Sequence, residues 1–339
     1  MIRIVGDINL TDWFFDVGSG IGTRIKNHED PFRGLKRQDD DYWIGNLECV
    51  VSDKTNQKGA GAKQFIISPE ILGGIKHLDF YGIANNHVMQ HGSEAYYQIK
   101  EYLDKCKVSY AGLDDKRSTI LEYNGKKVGI IAFSQHVDVF SKRPEYWYMP
   151  EYSEINDEIQ SIRNADFKIA YIHWGNEFID YPYSDQILFA HYLVDSGFDL
   201  IIGMHPHRLQ GFEVYKGHHI FYSLGNCVFN MPWEPCRYSA VVDVDEKSWG
   251  VSTRYIEIDK TTGFPWIVDS VPNDYSFEAL NKKISPFIEN ESYYQAVQRN
   301  VAFYQKCNRR FFLKNLSKMP WTVKKEMITD FVNRRIFKK

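Results

Sequence analysis

Two carboxylates, an amide and several imidazoles recur in this sequence at one kind of position, the end of a short apolar run. Asp7 follows IRIVG, and Glu48 follows WIGNL. Asn86 and His87 follow LDFYGIAN, His173 follows KIAYI, and His205 and His207 follow DLIIGM. Such oxygen and nitrogen donors suit Mn, Fe or Zn and disfavour Ca or Mg as sole occupants. They exceed the four ligands of one tetrahedral ion, whereas two ions bridged by a carboxylate would use them all. Each residue alone has an ordinary explanation: Asp7 as a turn or cap residue, His173 as a hydrogen-bonded core residue, Glu48 as a surface charge. Five strand ends carrying donors in the same phase favour a metal centre.

The surrounding pattern supplies the elements that must position them. Up to about residue 205, apolar runs alternate with helical spacing: strands at 2–5, 43–47, 78–84, 128–133, 168–172 and 200–202, and a helix at 92–106. A second helix is expected to start from a cap at Ser184 and run to about Ser196. After residue 210 the pattern is strands only, with a hairpin turn at Lys216-Gly217. From about Tyr275 it becomes helical and basic. An α/β layered core follows, and ligand sites in such sheets lie where strands end. The division expected is a domain over 1–274 and a helical basic C-terminal extension over 275–339.

Composition narrows the function classes. The 339 residues are 43% hydrophobic and 15% aromatic, with net charge -3, as in an ordinary globular protein and not a nucleic-acid binder. Residues 308–339 hold ten Lys or Arg against Glu326 and Asp330, a tail of +8 on a body of -11. Five cysteines with no Cys-x-x-Cys pair predict free thiols in a reducing compartment. The start, MIRIVGDINL, has no basic segment followed by an apolar run, and no stretch reaches 18 apolar residues. The expectation is a cytoplasmic protein.

The segments GDINL, GNLE, IANNHVMQHG, IHWGNEF and GMHPHRLQGFEVYKGHHIFYSLGNCVF, in this order, resemble the CapA-type proteins of poly-gamma-glutamate capsule synthesis. That family belongs to the calcineurin-like metallophosphoesterase superfamily. The resemblance covers about residues 2–230 and implies a four-layer α-β-β-α sandwich. It further implies roles: Asp7 as first-metal ligand, Glu48 as bridging carboxylate, Asn86 and His173 on the second metal. His205 and His207 would be split between the two ions, and His87 would be the catalytic proton or hydrogen-bond donor to substrate. The implied activity is phosphoester hydrolysis by a metal-activated water, on an anionic small molecule or polymer, in capsule or surface-polymer synthesis. Metal-dependent acyl or amide chemistry on a glutamate polymer or peptide, and a scaffold without activity, are the alternatives.

The chain also departs from the pattern. Asn9 stands where phosphoesterases place a His, which predicts a weak first metal or none. Gln90 and His91 stand where relatives commonly carry Asp and Tyr. Most members also carry an N-terminal membrane anchor, which this sequence does not show. Beside the ligands, Arg208 is a candidate clamp for a phosphate or carboxylate, Glu177 for orienting a bound ligand, and Trp174 for stacking on substrate. Asn226, in a Ser-Leu-Gly-Asn turn, reads as structural. The tail is expected to pack a stripe of Val323, Met327, Phe331 and Val332 on the body, or to offer a basic surface to an anionic membrane or polyanion.

Overall fold

Strands Ile2–Ile8 and Tyr42–Leu47 are buried almost throughout, which places them at the centre of a sheet. The computed structural model describes residues 1–336, with side chains for all of these but Ala60, Glu326 and residues 330–336. The first sheet has eight strands. Its spatial order is Pro265–Val268, Val251–Ile258, Tyr238–Val244, Ile2–Ile8, Tyr42–Leu47, Phe80–Gly82, Ser109–Ala111, with Asn226–Val228 also paired to Ile2–Ile8. The second has six, in the order Phe212–Tyr215, His218–Phe221, Leu200–Met204, Phe167–His173, Lys126–Ser134, Ser118–Tyr123.

Alternation of side chains across the pleat gives each sheet two apolar faces. Ile2, Ile4, Ile44 and Phe80 of the first sheet pack against Ile130, Ile169, Leu200 and Ile202 of the second. The outer face of the first sheet is covered by helix Ser93–Cys106 through Tyr96, Ile99 and Leu103. The outer face of the second is covered by helices Tyr152–Ser161 and Ser184–Asp195, through Ile155, Ile159, Ile187 and Leu193. The layers are therefore α-β-β-α, as expected. The hairpin at Lys216-Gly217 is present, both residues having positive φ.

One expectation on a helix start fails. Ser184 is the first residue of its helix and Tyr183 the cap. The Ser184 hydroxyl instead donates to the Ile288 carbonyl, at 3.2 Å, and the Ile288 amide lies 3.2 Å from the same hydroxyl.

After residue 274 the chain is helical: Phe277–Asn281, Asn290–Asn315 and Trp321–Ile336. Phe277 and Leu280 complete the core between the sheets. The long helix Asn290–Asn315 is held by rings along one face: Tyr293 on Tyr181 and Tyr183, Tyr304 on Phe178, Phe311 on Phe15. In the last helix Val323 and Met327 face a cavity lined by Phe14, Ile66, Ile67 and Ile71. Of the expected packing stripe, Val323 and Met327 are half-buried at this cavity. The side chains of Phe331, Val332, Arg334, Arg335 and Ile336, and residues Phe337, Lys338 and Lys339 altogether, lie outside the described residues. Among the described residues no helix is long and apolar enough to cross a membrane.

Candidate metal centre

Register alone brings the first groups together. Asp7 pairs with Asn46 on one neighbouring strand and with Asn226 on the other. His173 pairs with Met204, the residue before His205. The ends of the two sheets then meet, where the His205 amide donates to Asp7 Oδ2 at 3.0 Å. Within the first sheet, close approach of Asn226–Val228 to Ile2–Ile8 requires glycine. A Cβ on Gly6 would lie 1.9 Å from the Gly225 carbonyl oxygen, so a side chain there would push Asn226 away from Asp7.

Glu48 is the hub. Its side chain is fully buried, and among the described residues no N–H or hydroxyl group donates to either carboxylate oxygen, whose hydrogen-bonding neighbour is the equally buried Asp7 carboxyl. Three imidazoles surround Oε1: Nε2 of His207 at 3.6 Å, of His87 at 3.7 Å and of His173 at 3.9 Å. His205 is likewise fully buried with both ring nitrogens unpartnered. A buried carboxylate without such a donor and a buried imidazole without a partner cost several kcal/mol unless something else satisfies them (about 1–3 kcal/mol per neutral group, more for a charge). The donors fall into two groups of three within 4.8 Å of one another, Asp7–Glu48–His207 and Glu48–His173–His205. Glu48 belongs to both. Asn86 Oδ1, 2.9 Å from His173 Nε2, adjoins the second group. The residues present fit two divalent cations sharing one carboxylate.

The electrostatics agree with that fit. Burial pushes the Asp7 carboxyl up to about 7 and the Glu48 carboxyl well above its ordinary range, Glu48 being raised further by Asp7 and Glu177. Burial drives His173 and His205 well below the usual imidazole range, His207 to about 3 and His87 to about 4. The site therefore offers two carboxyl groups that resist ionising and imidazoles that stay neutral. Cations supplied from outside would hold the carboxylates ionised.

A pH dependence follows, with its sign. Below about pH 7 the Asp7 proton must be displaced by an incoming ion. Apparent metal affinity should then fall by about tenfold per pH unit for each proton released. The neutral imidazoles do not compete until far lower pH. For the metal-free fold the raised carboxyl acts the other way. Its folded pKa exceeds its unfolded value, so stability decreases as pH rises from about 4 to about 7. Calorimetric titration at several pH values, in buffers of different ionisation enthalpy, should show proton release on metal binding. A flat affinity between pH 5.5 and 7.5 would contradict it.

Several expected residues take other roles. Asn9 turns its carbonyl oxygen to Thr11, accepting from the amide at 3.0 Å and the hydroxyl at 2.7 Å, so it does not face the cluster as a ligand. Trp174 is fully buried in the outer core of the second sheet, and its indole N–H donates to the Tyr222 carbonyl at 2.8 Å. Strand alternation turns it away from His173, and it cannot stack on substrate. Arg208 is held by Asp180 at 2.7 Å and the Phe178 carbonyl at 3.1 Å, over the Trp233 ring. A guanidinium so engaged is not the free clamp expected. Glu177 is raised to about 7 by burial and raises Glu48, but no described hydrogen bond joins it to a cluster residue.

His87 stands apart from both groups of three. Its Nδ1 lies 2.6 Å from Gln90 Oε1, and its ring stacks on Phe65 at 3.6 Å. Nδ1–H thus donates to Gln90, and Nε2 faces the cluster. His91 is structural, between Thr55 Oγ1 and the Gln64 carbonyl.

Three functional residues escape the sequence reading. Asn46 donates to Asp7 Oδ1 at 2.7 Å. Asn226, read as a turn residue, accepts from His207 Nδ1 at 2.9 Å, which leaves His207 Nε2 free to face Glu48. His136 follows strand Lys126–Ser134 by two residues, and its ring centre lies 3.9 Å from that of His205. Its position just past a strand end is the signal that could have found it.

Comparison with known proteins places these residues in a wider set. The family profile described as "Bacterial capsule synthesis protein PGA_cap" matches residues 2–231. The chain is 30% identical to the capsule biosynthesis protein CapA of Bacillus anthracis over 263 residues, 71% of this chain and 62% of the relative. It is 30% identical to the PGA biosynthesis protein CapA of Bacillus subtilis (strain 168) over 258 residues, 71% of this chain and 68% of the relative. The match thus spans less than two thirds of the Bacillus anthracis protein. Among solved structures, a novel phosphatase of Mycoplasma pneumoniae aligns with TM-score 0.46 at 14% identity, over 79% of this chain and 93% of that one. A 5'-nucleotidase precursor from Thermus thermophilus aligns with TM-score 0.42 at 12% identity, over 90% of this chain and 58% of that one.

Proposed function

The chain belongs to the bacterial capsule synthesis family, and from that premise we propose that it is a dinuclear metal-dependent hydrolase of phosphate esters, acting in capsule or surface-polymer synthesis. The observation that carries this reading is Glu48, shared by two groups of ligands and buried beside a second carboxyl, Asp7, with no N–H or hydroxyl donor to either of its oxygens. Asp7, Glu48 and His207 would hold one ion, and Glu48, His173, His205 and Asn86 the other, with Mn, Fe or Zn as the occupants. When bound, such ions polarise the scissile group and lower the pKa of water.

The chain's own residues account for the rest. Asn46 and the His205 amide fix the two oxygens of Asp7. Asn226 fixes the tautomer of His207. His87, held by Gln90 and Phe65, directs Nε2 into the cluster and would exchange a proton or hydrogen bond with the substrate at that atom. Five free cysteines, three of them buried, support a reducing compartment such as the cytoplasm.

One observation favours a second reading. Arg208 is engaged by Asp180, so a phosphate would lack the guanidinium expected for it, whereas the uncharged amide of a glutamate polymer needs no such partner. Assay of the metal-loaded protein on phosphomonoesters, phosphodiesters and γ-glutamyl amides separates the two. Turnover of phosphate esters alone supports the first; turnover of amides alone replaces it with the second; turnover of neither by fully loaded protein leaves a scaffold.

His87→Ala should retain full metal content while kcat falls by about 10²–10⁴. Loss of metal along with activity would make His87 a ligand and overturn its assignment.

A further inference from the structure

Packing explains only one side of the C-terminal helices. At about 100° per residue, Val323 and Met327 share a face of the last helix, and that face is turned to the body. Trp321, Lys325 and Ile328 fall on the opposite face. There Trp321 is 72% exposed and Ile328 58%. The long helix shows the same division. Tyr304, Phe311 and Asn315 are turned inward, while Leu313, on the far side, is 67% exposed.

Phe312, Leu313, Leu316, Trp321 and Ile328 line one groove of about 790 Å³ between the two helices, with Met327 at the edge it shares with the body-facing cavity. Lys324 lines it as well, and by helical spacing Arg309 falls on the side of Leu313 and Leu316 and Lys325 on the side of Trp321 and Ile328. Among the described residues no carboxylate forms an ion pair with any of the three; Lys324 reaches only the Ser317 carbonyl, at 3.5 Å. Lys314 and Lys318 border a separate cavity of about 520 Å³ on the inward side of the long helix, where Arg24, Arg237 and Lys260 are accompanied by Asp16 and Glu234.

We propose that this groove and its rim seat the protein on an anionic membrane surface. An exposed tryptophan and leucines flanked by lysine and arginine that form no ion pair among the described residues fit a lipid headgroup boundary, where the rings enter the apolar edge and the cations meet anionic headgroups. Charge decides the occupant. A second copy of the chain would bring the same +8 tail against itself, and a soluble polyanion would use the cations and leave the apolar groove uncovered. The long helix also stacks Tyr304 on Phe178, whose ring centre is 6.3 Å from that of His207. Seating this helix on a membrane would place the metal centre close to it.

Sedimentation of the full chain with vesicles tests this, using phosphatidylcholine alone and phosphatidylcholine with phosphatidylglycerol, at low and high salt. The protein should bind the phosphatidylglycerol vesicles at low salt, leave them at high salt and ignore phosphatidylcholine. Each cation near an anionic leaflet is worth about a fivefold change, so Arg309→Glu/Lys324→Glu/Lys325→Glu should bind at least about a hundredfold more weakly. Leu313→Ser/Trp321→Ser should also lose binding, with its circular dichroism and metal content unchanged. The proposal is overturned if the wild type does not bind phosphatidylglycerol vesicles at low salt. It is equally overturned if the serine variant binds like the wild type, since the contact would then be one of charge alone. A wild-type dimer that Trp321→Ser converts to a monomer would assign the groove to a second copy.

Discussion

Glu48→Gln will lose both metal ions at once. Glutamine keeps the volume and one oxygen but removes the charge from the only residue common to both ligand groups. Each group is then left with a single charge at most, Asp7 in one and none in the other. Metal content after reconstitution should fall from about two ions per chain to near zero, and turnover should fall with it by several orders of magnitude. A second result follows from burial. The Glu48 carboxyl is raised well above its usual range by desolvation, so above the ordinary carboxyl range the metal-free fold must hold it protonated or bury its charge, and either costs stability. Metal-free Glu48→Gln should therefore melt higher than metal-free wild type, while adding metal should raise the melting temperature of the wild type only. A mutant that melts lower without metal, or that gains stability from metal as the wild type does, would contradict the hub assignment.

His205→Ala and His207→Ala will each remove a different ion. The two side chains are one residue apart, yet they belong to different groups, His205 with His173 and His207 with Asp7. The backbone makes the split possible: His205 has φ of 98° and His207 of 56°, conformations that β-strand geometry does not supply and that a side chain rarely adopts. Each single variant should keep about one ion per chain, and the double variant none. Loss of one ion removes several kcal/mol of charge stabilisation, so either variant should be slowed by about 10²-fold or more. The ion of the Asp7 group should be the weaker one, because Asn9 is bonded to Thr11 and adds no ligand there. Equal metal loss in the two single variants, with both ions gone from each, would show one inseparable site.

Residues at strand ends are legible in the sequence because a strand's direction is set by its apolar run, and the residue after it must emerge at the sheet edge. Asp7, Glu48, Asn86, His173, His205 and His207 all share that position, and they meet because parallel pairing stacks their strands in register. Facing is harder to read. Trp174 follows His173 directly, and one step along a pleat moves it into the opposite core. Arg208 follows His207 in a turn, and its direction depends on Asp180, which no local pattern links to it. Asn46 and Asn226 look ordinary in sequence. Their importance comes from register across Asp7, a relation between residues 39 and 219 positions away along the chain. His136 shows the strand-end signal less plainly, because its run ends in Ser-Gln before the imidazole. In the tail, helical spacing reveals the packed stripe, but exposure of Trp321 and Leu313 depends on how two helices lie together.

The most direct test of the account is anomalous scattering from crystals of the wild-type protein loaded with Mn. The account predicts two peaks, one among Asp7, Glu48 and His207 and one among Glu48, His173 and His205, with Glu48 touching both. A single peak, no peak in this cluster, or two peaks with Glu48 bound to neither would contradict it.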